Sequence, residues 1–225
     1  MYHQVIAAMT AIAVLSFGGA HDRVQAANDS ALKADILRLS HDWERVKFQV
    51  ADRAEQEKQI AILELQAGDI AKRYPNHPEA IIWIGFIISE QASMAIESGG
   101  PIKALGLAMR ARDILERAEK IDPVTLDAGA PTILGVLYYR VPAFPFGFGD
   151  KLKARHYLLE AIRNAPNGLD ANFYYGEFLY EQHEYPEAIN ALRRALTLPA
   201  LLDRPNWDAS LRLLIKGLLA QMNSN

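Results

Sequence analysis

The chain has no cysteine in its 225 residues, which excludes disulfides, thiolate metal sites, cysteine nucleophiles and a lipid-modified N-terminal cysteine together. It also has little excess charge. Its 24 Lys and Arg against 27 Asp and Glu give a net charge of -3, without the basic field that nucleic-acid binding requires, so nucleic acid is not an expected partner. Two β-branched residue types are scarce, with 8 Val and 4 Thr against 34 Ala and 27 Leu. That balance favours residues that lose little rotamer freedom in a helix and points to an all-α fold. Half of the residues are hydrophobic, which excludes a disordered chain and supplies a core for one domain or two small ones.

Catalytic and metal motifs are also missing. His41, His77, His156 and His183 lie in separate segments, and no H-E-x-x-H or other close ligand spacing occurs. There is no G-x-S-x-G elbow. Gly147 and Gly149 look like half a phosphate loop, but they follow no strand and lack the G-x-x-x-x-G-K-[ST] pattern. No metal, no cofactor and no enzymatic activity is expected. The carboxylates mostly alternate with basic residues, as in Asp113, Glu116, Arg117 and Lys120, and read as solvated helix faces. Arg193, Arg194, Arg204, Arg212 and Lys216 read as solvent-facing too.

One segment stands apart in hydropathy. Residues 5–20 are almost uninterruptedly apolar, and Val24, Ala26 and Ala27 follow after a short polar stretch, with small residues where a signal peptidase reads them. The run is short of the roughly 20 residues that span a bilayer, so a cleavable export signal over 1–26 is expected rather than a stable anchor. No later segment reads as a membrane span. The expected location is the periplasm, with 27–225 forming one helical-repeat domain.

Breakers at Pro75, Pro78, Gly99, Gly100, Pro101, Pro123, a Pro/Gly/Phe stretch at 141–149, Pro166, Gly168, Pro186, Pro199 and Pro205 divide this domain into helix-sized pieces. A first helix, opened by Asp29 or Ser30, carries Leu32, Ile36, Leu39, Trp43, Val46 and Val50 on one face. A second carries Ile60, Leu63, Ala67, Ile70 and Tyr74, with 52–58 open to reading as a turn or as continuous helix. Further helices are expected over 78–97, 101–121, 130–140, 151–164, 169–182, 186–198 and 207–222.

Three of the pieces repeat. Gly176 precedes Ala188, Leu192 and Ala195, with twelve residues from Gly to the first Ala, the spacing of a tetratricopeptide repeat, in which small residues let two antiparallel helices approach closely. Gly135 relates in the same way to Ala154, Leu158 and Ala161 with seven extra residues, and Gly85 to Ala111, Leu115 and Ala118 with fourteen extra. The expected units are about 30–75, 78–123, 130–166 and 169–199, the first degenerate, with 207–222 as a C-terminal cap.

The insert at 138–150, YYRVPAFPFGFGD, interrupts the third unit. Five aromatics fall within eleven positions: Tyr138, Tyr139, Phe144, Phe146 and Phe148. Two readings are open. The phenylalanines pack back onto the repeats as a plug, or the insert rims an apolar pocket or partner surface with Tyr174, Tyr175 and Tyr180. Arg140 is then either the polar group for an acidic ligand or partner, or half of an ion pair with Asp150 or Glu177. Asp150 is placed to cap the helix that follows.

The insert, together with KARHYLLEAI, PNGLDANFYYGEFLYEQ and EAINALRRAL, resembles the TatT-type tetratricopeptide proteins associated with TRAP transporters. The resemblance is strongest over 134–198 and extends back to about 78. It implies an all-helical periplasmic protein whose repeats and extra helices enclose an apolar cavity or pore, for which a hydrophobic small molecule is a candidate occupant. It further implies a homotrimer, docking onto a TRAP solute-binding subunit and the absence of catalytic residues. Members are often lipoproteins, and the missing cysteine departs from that pattern. A general envelope scaffold or assembly factor without a transport role is the alternative.

Overall fold

The computed structural model describes residues 17–75 and 77–223. The apolar core of the expected leader, 5–20, lies almost wholly outside them. Among the described residues there are nine helices: α1 (Phe17–Gln49), α2 (Arg53–Arg73), α3 (Pro78–Glu97), α4 (Pro101–Ile121), α5 (Thr125–Arg140), α6 (Lys151–Asn164), α7 (Leu169–Glu181), α8 (Tyr185–Thr197) and α9 (Pro205–Asn223). The fold is all-α. Pro78 and Pro101 open their helices at positions whose missing N–H would have no partner, and Asp150 caps α6 by accepting from the N–H groups of Leu152 and Lys153 at 2.9 and 3.1 Å.

Three expectations need correction. Asp29 and Ser30 do not open the first helix, because α1 already runs through them from Phe17. No Gly or Pro interrupts the chain between Ala20 and these residues, and Asp29 accepts from Gln25 Nε2 one turn earlier at 3.0 Å. Helix α3 is, after all, long and apolar enough to cross a membrane, with a mean hydropathy of 1.3. Its apolarity has another use, since Ala80, Ile87 and Ile88 are fully buried between neighbouring helices. Finally, Arg204 and Arg212 are largely covered rather than solvent-facing. Arg212 donates to the carbonyls of Leu196, Leu198 and Pro199 at 3.0 to 3.2 Å and so closes the end of α8, while Arg204 pairs with Asp170 at 2.8 Å.

Between α1 and α2 the chain turns. Asp52 caps α2 through the Glu55 N–H at 2.7 Å, and Gln56 Nε2 donates to the last carbonyls of α1 at Val46 and Lys47. Before α5 becomes a regular right-handed helix, Leu126, Asp127 and Ala128 adopt positive φ of 54°, 51° and 58°. A left-handed turn of three non-glycine residues is locally strained, and it explains why the regular helix starts near 130.

The helices pair as α3 with α4, α5 with α6 and α7 with α8, while α3, α5, α7 and α9 touch in sequence along one side. Each pair closes on the same contact. A Cβ on Gly85, Gly135 or Gly176 would lie 2.5 to 2.6 Å from the Cγ or Cδ2 of Leu115, Leu158 or Leu192. Ala111, Ala118, Ala154, Ala161, Ala188 and Ala195 flank those leucines and are fully buried.

The array also returns to its beginning. Trp43 on α1 meets Trp207 on α9 edge to face at 5.4 Å, with Phe86 at 5.0 Å and Trp83 at 6.3 Å completing the cluster. Glu44, 5% exposed, accepts from the Trp207 N–H at 2.7 Å and from Asn206 Nδ2 at 3.2 Å. Helix α9 thus covers the last repeat and ties it to α1.

Candidate functional site

A cavity of about 750 Å³ lies inside this closed curve, within the usual size of a small-molecule site. Leu32 and Ile36 of α1, Ile82, Trp83 and Phe86 of α3, Leu105 and Ala108 of α4, Ile133, Val136 and Leu137 of α5, and Trp207 of α9 form most of its wall. The side chains that line it come chiefly from the first helix of each pair. Helices α2, α6 and α8 contribute none; their buried faces pack on the neighbouring helices.

Three of the charged groups at its edge, Asp170, Glu90 and Arg140, are held by partners. Asp170 accepts from Arg204 at 2.8 Å and from Trp207 Nε1 at 2.7 Å, and Glu90 is paired with Lys47 at 2.6 Å. Arg140 pairs with Glu177 at 2.5 Å and stacks over the rings of Tyr139 and Tyr174; Asp150 instead caps α6. Tyr139 donates a hydrogen bond to the same Glu177 carboxylate. Burial, the largest effect, pushes the phenols of Tyr139 and Tyr174 well above their ordinary range, with Glu177 reinforcing the shift. Both phenols are therefore neutral at physiological pH.

The insert divides between the two readings. Phe148 packs against Tyr138 at 5.5 Å and under Arg112 at 4.6 Å, as a plug would. Phe144 and Phe146 do not, being 89% and 77% exposed, and Phe146 lines the cavity. The loop closes through the Gly149 N–H to Pro142 carbonyl bond at 2.9 Å. A Cβ at Gly147 would stand 2.5 Å from that carbonyl oxygen, so the turn needs glycine there.

Of the residues singled out in the sequence, Arg140, Phe146 and Tyr174 are thus brought to the cavity. Tyr138 stacks on Tyr157 and donates to Glu116 at 3.0 Å. Tyr175 packs into the core between repeats, and Tyr180 donates to Gln221 at 2.9 Å on the side of α9. The described residues hold no cluster of His, Asp or Glu suited to a metal ion.

No protein-family model matches the sequence, and no curated protein matches it. Among solved structures it is similar to a thermophilic TPR protein from Thermus thermophilus, with a TM-score of 0.54 and 16% identity over 90% of this chain and 95% of the other. The chain has the tetratricopeptide-repeat fold. The first helices of the helix pairs, α3, α5 and α7, border the cavity, and of the second helices α4 reaches it while α6 and α8 do not.

Residues that pattern reading passed over complete the site. Trp83 and Trp207 look like ordinary core aromatics, and Asp170 and Arg204 like surface charges. Ser40 and Thr132 also line the cavity, and each falls within an otherwise ordinary helical stretch. A lone tryptophan at the start of a capping helix is the one local signal that points toward the closure.

Proposed function

We propose that this chain is a non-enzymatic periplasmic TPR protein that engages a protein partner and carries an apolar small molecule in its central cavity, as an accessory of a TRAP-type transporter. The single observation that supports the binding role is the apolar cavity of about 750 Å³ enclosed by the joining of α1 to α9. The transport association is supported by the likeness of 134–198 to TatT-type proteins, as is assembly into a homotrimer. Export by a signal over 1–26 is compatible with this reading, since Leu32 is the first core residue among those whose burial is described.

The protein-binding role has a natural surface at the insert. Phe144, Phe146 and Ile102 are strongly exposed apolar side chains, and Phe146 and Ile102 both belong to the cavity wall. A partner seated there would cover these side chains and part of the cavity together. Pull-down with a TRAP solute-binding subunit from the same organism tests the reading. Wild type retains the subunit, and a Phe144→Ala, Phe146→Ala double variant of unchanged thermal stability loses it. Equal retention by both removes the insert from the interface, and no retention by either removes the transport role in favour of a general envelope scaffold.

A further inference from the structure

The lining of the cavity follows two helices from one end to the other. On α3 it runs from Glu79 to Ile96 at helical spacing, through Ile82, Phe86, Ser89 and Ser93, which makes one continuous stripe along the helix. At about 1.5 Å of rise per residue this stripe is about 25 Å long. On α5 the lining runs from Gly129 to Arg140, about 16 Å, and continues into the insert at Pro142 and Phe146. The walls from α1 and α4 are partial and lie at opposite ends. Helix α1 runs alongside α3, with Asp29 near His77 at 3.8 Å and Lys47 on Glu90 at 2.6 Å, so its lining stretch from Leu32 to Ser40 flanks the first half of α3. Helix α4 contributes only Pro101 to Ala108, next to the turn that ends α3.

The cavity is therefore long and narrow, and its length and volume agree on what fills it. Carbon–carbon bonds of about 1.5 Å at near-tetrahedral angles advance an extended chain by about 1.25 Å each, so about 25 Å holds about twenty carbons. A methylene takes about 30 Å³, close to the share of a water molecule in its liquid, so a cavity of about 750 Å³ holds about twenty-five. One long chain satisfies both. A compact molecule of the same volume leaves the ends empty, and two chains of this length exceed the volume. The chemistry follows the same axis. Ile82, Trp83 and Phe86 of α3 and Ile133, Val136 and Leu137 of α5 make the middle of the wall apolar, whereas Glu79 and Arg140 stand toward opposite ends.

We infer that the ligand of this cavity is a single unbranched aliphatic chain of about sixteen to twenty carbons, lying extended along α3 and α5. The inference rests on the reading of the cavity as a ligand site and adds the shape and length of the ligand. It separates the ligand from compact ring molecules and from two-chain lipids.

The test is displacement of the neutral fluorophore N-phenylnaphthylamine from the full chain by straight-chain alkanols from octanol to octadecanol, each supplied below its solubility limit. Affinity is expected to rise about tenfold for every two carbons added, through hexadecanol. Ser93 lines the cavity in the last turn of the α3 stripe and is exposed there. Ser93→Trp, at unchanged thermal stability, is expected to leave octanol and decanol as in wild type and to end the rise about four carbons early. A rise that already ends at dodecanol in wild type overturns the extended chain and leaves the cavity as a site for a smaller molecule. Cholesterol, or didecanoylglycerol with its carbons split between two tails, competing as tightly as hexadecanol overturns the single chain. Ser93→Trp weakening octanol and hexadecanol by the same factor, or changing neither, contradicts the placement along α3. If no alkanol displaces the fluorophore, the cavity reading and the inference fall together.

Discussion

Gly176 on α7 and Leu192 on α8 are in such close contact that a methyl group on the glycine would lie 2.6 Å from Leu192 Cδ2. The same relationship joins Gly135 to Leu158 and Gly85 to Leu115, so each helix pair is set by one glycine and one fully buried leucine. Gly176→Ala is expected to lower stability by about 1–2 kcal/mol, because overpacking outweighs the gain in helix propensity. Gly217, with open space around its Cα, is the control. Its replacement by alanine is expected to raise stability by about 0.5–1 kcal/mol. Denaturant titration of the two variants checks both signs.

The joining of α1 to α9 makes a second prediction. Glu44 is buried and accepts from the Trp207 N–H, so Glu44→Ala leaves a backbone donor without its partner. The expected cost is about 1–3 kcal/mol, and it is local. Hydrogen exchange should accelerate over α9 and around Trp43, with the α5 and α6 amides unchanged.

Asp208 carries the clearest pH dependence. Its carboxyl is held below the usual range chiefly by the hydrogen bond from Arg212, with the Leu201 N–H adding to the effect. A depressed carboxylate stabilises the fold above its unfolded pKa, about 3.9, and that contribution disappears as pH falls through the folded value. Asp208→Asn is therefore expected to be less stable than wild type at neutral pH, with the difference closing below about pH 4. Urea denaturation of both proteins across that range measures it.

Within the insert, packing and exposure predict opposite behaviour for residues two positions apart. Phe148→Ala removes a ring packed against Tyr138 and Arg112 and is expected to cost about 2–4 kcal/mol. Phe146→Ala, at an exposed ring, should stay within about 0.5 kcal/mol of wild type. Thermal melts of the two single variants separate them.

Much of the repeat is legible in the sequence because its determinants are local. Proline at the start of α3 and α4, Asp150 before α6 and the small residues at Gly176 and Ala188 act within one or two helical turns. The meeting of Trp43 with Trp207 has no such signature. It depends on curvature accumulated over three helix pairs, so the partner of Glu44 lies 163 residues away. Arg212 is legible only in part: its pairing with Asp208 one turn earlier is local, whereas the carbonyls of Leu196, Leu198 and Pro199 to which it donates are not foreshadowed. Helix α3 shows the converse case, since its apolarity alone would equally suit a membrane.

That the space enclosed by the first helices of the repeats is a ligand site is the central claim, and fluorescence titration with N-phenylnaphthylamine tests it most directly. Val136 lines the cavity from α5, and Val136→Trp fills the space from within. Wild type is predicted to bind saturably with one site per chain, and Val136→Trp at least tenfold more weakly, at a thermal stability within a few degrees of wild type. Equal affinity in the two proteins, or no saturable binding to wild type, would contradict it.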